Sequence, residues 1–169
     1  MRVTILIVTM TGTAEMIAED IQTSNSAHEW SLVLAEHADA TVLSTKNLIV
    51  VSSTYGNGEV PNPGKPLFEA VSASMPNLSG VRYGVISLGD SGYKDTFANG
   101  GRLWDTLLQS CGASRLEETL ALDASEVGNM SEVALSWSVQ WLSRIAEVDF
   151  GSLGSADEKN VLKLDSTSL

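Results

Sequence analysis

Cysteine is almost absent from this chain. Cys111 is the only one in 169 residues, which excludes an intramolecular disulfide and a cysteine-held zinc or iron–sulfur centre. With only His28 and His37 to add, no metal site is expected. Basic residues are also scarce, 10 against 21 acidic ones, for a net charge of −11. A nucleic-acid surface needs a basic footprint, and none is visible. The acid excess suits docking to a basic-faced partner, or serves solubility alone. No segment approaches the roughly 20 apolar residues of a membrane-spanning helix. The apolar N-terminal run, residues 3–8, stops at polar residues with no small-residue cleavage pattern behind it, so it reads as a strand and not a secretion signal. These absences point to a cytoplasmic protein, taken as a monomer, with neither nucleic acid nor membrane among its partners.

What is present is a core and an alternation. Hydrophobic residues make up 43% of the chain, enough for one domain. Residues 3–8, 30–34, 47–52, 83–88 and, more weakly, 116–122 read as strands. The run Asn47-Leu48-Ile49-Val50-Val51-Ser52 is β-branched and continuous through its apolar centre, as a central parallel strand is. Helical spacing starts at Ala14, with Ile17 and Ile21 on one stripe. It returns over residues 65–74, with Pro66 in the first turn, and over 101–111, with Leu103, Leu107 and Leu108. A last helix is predicted over 132–146, with Val133, Trp137, Trp141 and Ile145 facing a core. Trp104 fits a core or a surface equally, and the two histidines are expected in solvent. Residues 36–46 have no assignment. Strand and helix alternate, so the class is α/β with a parallel sheet. Residues 1–150 form the domain; residues 151–169, rich in Ser, Gly and Asp and without an apolar helical stripe, read as a flexible tail.

Three loops follow strands and so share the carboxyl edge of such a sheet, where ligands bind in open α/β folds. The first is Thr9-Met10-Thr11-Gly12-Thr13-Ala14-Glu15, a hydroxyl-rich turn without a basic side chain that leads into a helix. Backbone N–H groups and hydroxyls at the positive end of a helix form a phosphate seat. The same composition also makes an ordinary helix cap. The second loop holds Ser53-Thr54-Tyr55-Gly56-Asn57-Gly58 before two prolines, its glycines permitting positive φ. The third, from Gly89-Asp90-Ser91-Gly92-Tyr93 to Phe97-Ala98-Asn99, carries another tyrosine. A phosphate seat flanked by two loops with one aromatic ring each suits a ligand with a phosphate at one end and a planar ring at the other. A Walker A lysine is missing, and prolines stand where a dinucleotide fingerprint would begin its helix. Gly89-Asp90-Ser91-Gly92 matches the surroundings of a serine-protease nucleophile, but the α/β pattern supplies none of the barrel that chemistry requires.

Together, these three loops resemble the FMN-binding loops of the flavodoxin family, over roughly residues 2–146. The stretch from 83 to 116, with Gly112-Ala113-Ser114-Arg115-Leu116, is similar to the FMN modules of diflavin reductases; among stand-alone proteins the likeness is to the small MioC-type flavodoxins. The resemblance implies a doubly wound five-stranded parallel sheet in the order 2-1-3-4-5 and noncovalent FMN. It places the phosphate on Thr9, Met10, Thr11, Gly12, Thr13 and Ala14. Ser53, Thr54, Tyr55, Gly56, Asn57 and Gly58, with Leu88, Gly89 and Asp90, would wrap the ring, and Tyr55 and Tyr93 would flank it. Phe97 and Ala98 would line the end of the third loop. Two departures stand out: Ala98 replaces the family's frequent cysteine, and the spacing from Tyr93 to Phe97 is one residue longer than in many relatives. The implied activity is low-potential single-electron carriage between a separate reductase and an acceptor enzyme, both expected to be basic-faced partners. An FMN-dependent NAD(P)H:quinone reductase and a redox-inactive regulatory module are the alternatives.

Overall fold

The computed structural model describes residues 1–125, 128 and 130–164, with side chains through Gly151. Its strands are β1 (Arg2–Val8), β2 (Glu29–Leu34), β3 (Asn47–Ser52), β4 (Arg82–Gly89), β5 (Ser114–Arg115) and β6 (Leu120–Asp123). The helices are α1 (Thr13–Ser24), α2 (Lys65–Ser74), α3 (Asn99–Ser110) and α4 (Met130–Leu164). All strand pairings are parallel, in the order β2-β1-β3-β4-β5, with β6 also against β4. The fifth strand of the expected sheet is thus two short pieces. Arg82 and Tyr83 pair with β5, Ile86 to Gly89 pair with β6, and residues 116–119 lie between the two pieces, the Leu116 N–H still donating to the Tyr83 carbonyl at 3.0 Å.

Period-two alternation explains the two-sided core. Leu6, Val8, Leu48, Val50, Tyr83 and Val85 face α2 and α3, where Leu67, Val71, Trp104 and Leu108 meet them. Val3, Ile5, Ile7, Ile49, Val51, Ile86 and Leu88 face α1 and α4, where Ile17, Ile21, Trp137, Trp141 and Ile145 close the other layer. Covered on both faces, β3 is buried at every position. Trp104 is fully buried, edge-on to Phe68 at 5.0 Å between ring centroids, so its side chain belongs to the core.

Residues 36–46 condense into 3-10 turns at Ala35–His37 and Ala40–Leu43; the second is capped by Asp39, whose Oδ1 accepts from the Thr41 N–H at 2.8 Å. At the amino edge of the sheet, buried Arg82 donates to Asp149 Oδ1 at 2.8 Å and to Asn47 Oδ1 at 3.1 Å. That pairing carries the packed part of α4 beyond the expected end at Ala146. The helical backbone then continues to Leu164, past Gly151, through residues such as Ala156, Glu158, Lys159 and Leu162 that favour helix without needing an apolar stripe. Residues 165–169 lie outside the described chain. No helix among the described residues is long and apolar enough to cross a membrane.

Candidate functional site

The carboxyl ends of β1, β3, β4 and β6 surround a cavity of about 370 Å³, within the size range of small-molecule sites. Thr11 and Thr13 line it from the first loop, Ser53, Thr54, Tyr55 and Gly56 from the second, and Leu88, Gly89, Asp90, Tyr93 and Thr96 from the third; Ala124 completes the wall. No lining side chain is basic.

The first loop answers the question its sequence leaves open. α1 starts on Gly12, at φ +86°, and no side chain caps it. The Thr9 hydroxyl accepts from the Gly12 N–H at 3.0 Å, bracing the turn from within. Met16 N–H donates to the Gly12 carbonyl, while no described hydrogen bond uses the N–H groups of Thr13, Ala14 or Glu15. A capping side chain would have satisfied one of these donors. Left open beside the Thr11 and Thr13 hydroxyls, they suit an anion. Thr9, Met10 and Gly12 line a neighbouring hollow with Leu34 and Pro63, and the Ala14 methyl is buried in the core. For Ala14, only the backbone is available to a ligand.

In the second loop, Tyr55 and Glu59 exchange backbone hydrogen bonds at 2.9 and 2.8 Å and close a tight turn. The turn needs positive φ at Gly56 (+55°) and Gly58 (+90°). Gly58 is buried, and its carbonyl accepts from Asn99 Nδ2; Asn57 is exposed. Neither lines the cavity. Thr54 acts as a brace as well as a wall, donating to the Leu88 carbonyl at 2.8 Å and accepting from the Gly100 N–H at 3.0 Å.

The third loop turns back at Asp90, whose carboxylate accepts from the Gly92 N–H at 2.8 Å and whose carbonyl accepts from Tyr93 N–H. Tyr93 is 67% exposed and Tyr55 43%, two rings presented at the rim of one cavity. Phe97 is half-buried and Ala98 fully buried, and neither lines the cavity; Ala98, at φ +53°, offers its carbonyl to Ser87 Oγ. Sequence reasoning missed Thr96 and Ala124. Thr96 ends the unexpected 3-10 turn at Lys94–Thr96. The signal for Ala124 is the Asp123-Ala124-Ser125 sequence at a strand end, a turn-forming composition with no ligand chemistry of its own.

Charge near the cavity is negative but unevenly so. Glu59 is paired with Lys65 at 2.7 Å, whereas Asp90 faces the cavity and Asp95 is exposed. The Asp123 carboxyl is held well below the ordinary carboxylate range by hydrogen bonds from Ser91 and Ser125.

Comparison with known proteins agrees with this geometry. The sequence profile described as "Flavodoxin" matches residues 5–137. Flavodoxin YqcA of Escherichia coli (strain K12) is 36% identical over 140 residues, covering 81% of this chain and 93% of that protein. The sulfite reductase [NADPH] flavoprotein alpha-component of Vibrio parahaemolyticus is 32% identical over 170 residues, 96% of this chain but 25% of the relative. Among solved structures, a cysteine-to-alanine mutant of flavodoxin from Pseudomonas aeruginosa superimposes with a TM-score of 0.76 at 35% identity, covering 85% of this chain and 98% of that one.

Proposed function

Because the chain belongs to the flavodoxin family, we propose that its cavity holds FMN noncovalently and that the protein carries electrons for separate partner proteins. When bound, FMN supplies one-electron and two-electron redox chemistry. The N–H groups of Thr13, Ala14 and Glu15, with the Thr11 and Thr13 hydroxyls, hold the phosphate; Gly12 contributes the turn that exposes them. Tyr55 and Tyr93 flank the ring, Ser53 and Gly56 border it on one side, and Leu88, Gly89 and Asp90 on the other. Thr9, Asn57, Gly58, Phe97 and Ala98 act behind this wall, shaping the loops. Phosphate held by neutral donors keeps positive charge away from the ring, and Asp90 adds a negative one. Both disfavour added electron density and so favour a low-potential carrier.

The single observation behind this reading is the uncapped start of α1 on the cavity that two exposed tyrosines rim. A basic-faced reductase and a basic-faced acceptor, docking on the acidic molecule, are the expected partners, with the protein a cytoplasmic monomer. The test is the visible spectrum of purified protein, with the released chromophore identified by mass. Colourless protein that also refuses added FMN defeats the reading. Adding NAD(P)H without a reductase then separates carrier from enzyme, since rapid bleaching belongs to a quinone reductase.

A further inference from the structure

Asp123 ends β6 and lies opposite Gly89 in the register of the sheet. Its Oδ1 accepts from the Ser125 N–H at 2.9 Å and the Ser125 hydroxyl at 2.7 Å. Such contacts are the ordinary local turn of an aspartate. A further bond is not local: the Ser91 N–H donates to the same oxygen at 3.1 Å from 32 residues away. The hydroxyls of Ser91 and Ser125 meet at 3.1 Å, and the Ala124 N–H donates to the Gly89 carbonyl at 2.8 Å. One carboxylate oxygen therefore joins the loop after β4 to the loop after β6. Both loops supply cavity wall, Leu88, Gly89, Asp90, Tyr93 and Thr96 from the first and Ala124 from the second, while Asp123 itself does not line the cavity.

We propose that Asp123 is a positioning residue for the cofactor: through Ser91 and Ser125 it latches the Tyr93 loop against the far wall of the cavity. The proposal rests on the FMN reading for its consequence, but the latch itself belongs to the polypeptide. Tyr93 has few constraints of its own. It is largely exposed, and its backbone is held within its own loop, by Asp90 and Thr96. Outside that loop, the serine bonds to Asp123 and the Ala124–Gly89 bond anchor it next to the ring. A charged acceptor shared among three donors is stronger than a neutral one, and its loss gives the exposed Ser91 N–H over to solvent.

The experiment uses Asp123→Ala and Asp123→Asn, and reads amide hydrogen exchange at Ser91 in the FMN-free protein and the FMN dissociation rate in the loaded one. Asparagine keeps the acceptor oxygen and discards the charge. Asp123→Ala is expected to speed both exchange and dissociation about tenfold, the equivalent of one charge-assisted hydrogen bond. Asp123→Asn is expected to stay within about threefold of the parent in both, since the acceptor geometry survives. A Ser91 amide that exchanges at the unprotected rate in the parent protein overturns the latch. So does Asp123→Ala with unaltered exchange, and so does Asp123→Asn releasing FMN as fast as Asp123→Ala, which assigns the effect to charge alone. Failure of the parent to bind FMN would instead strike the functional reading, and the exchange measurement would still judge the latch.

Discussion

The side-chain amide of Asn99 donates to the Gly58 carbonyl at 2.7 Å, so the first residue of α3 holds the far end of the tyrosine loop 41 residues before it. Gly58 is confined from the other side as well: a β-carbon there would stand 3.0 Å from Thr96 Cβ and 3.2 Å from Asn99 Cβ, at a φ of +90°. Gly12 has a similar φ of +86° with nothing within 4 Å. Gly12→Ala is expected to cost only the left-handed strain, about 1–2 kcal/mol. Gly58→Ala adds the contact to that strain, so urea denaturation of the two variants should show the larger loss at Gly58. Equal losses would mean that the loop moves freely away from α3.

Tyr93 is predicted to act on the ligand and not on the fold. Its ring is 67% exposed, so Tyr93→Ala should leave the thermal midpoint almost unchanged. FMN binding should weaken by about 1–3 kcal/mol, the magnitude found for stacking on planar bases. A fluorescence-quenching titration with unchanged affinity would show that the ring points elsewhere.

Gly84 gives the opposite case, a glycine remote from the site that the core demands. A β-carbon there would come within 2.5 Å of the Trp137 ring and 2.7 Å of Trp141 Nε1. Two indoles cannot yield together, so Gly84→Ala should destabilise the protein by about 1–3 kcal/mol through overpacking. A melting curve measures it, and an unchanged midpoint would contradict the close seating of α4 on β4.

Acid should weaken the anchor at the opposite edge of the sheet. Arg82 holds the Asp149 carboxyl below its ordinary range. A carboxyl depressed in the folded state adds stability above its unfolded value, about pH 4, and loses it as pH falls through the folded one. Asp149→Asn should therefore be less stable than the parent at neutral pH, and the gap should narrow as the medium is taken below about pH 4. A gap that is constant with pH would show that the carboxylate charge contributes nothing.

The fold was largely legible because it is written in short-range patterns. Apolar runs such as residues 47–52 announce a strand covered on both faces, and the α2 helix lies at Lys65–Ser74, where spacing and Pro66 put it. The fifth strand is less legible. Its sequence carries one weak apolar stretch, and only pairing against β4 divides it into β5 and β6. The end of α4 is hidden in the sequence for a related reason: with no apolar stripe to follow, helix propensity and the Arg82–Asp149 contact carry the helix onward.

The site divides along the same line. Its three loops, their glycines and their tyrosines are local compositions, so the sequence alone determined that a ligand edge exists and that it matches a flavodoxin. Tertiary structure decided which of those residues form the wall. It sent Ala98 to the core, gave Gly58 to Asn99, left the first N–H groups of α1 open, and brought in Thr96 and Ala124. The physical reason is distance along the chain. A turn's composition sets its own backbone, but the direction of each side chain is settled by partners such as Ser91 and Asp123, 32 residues apart, which meet only once the sheet has formed.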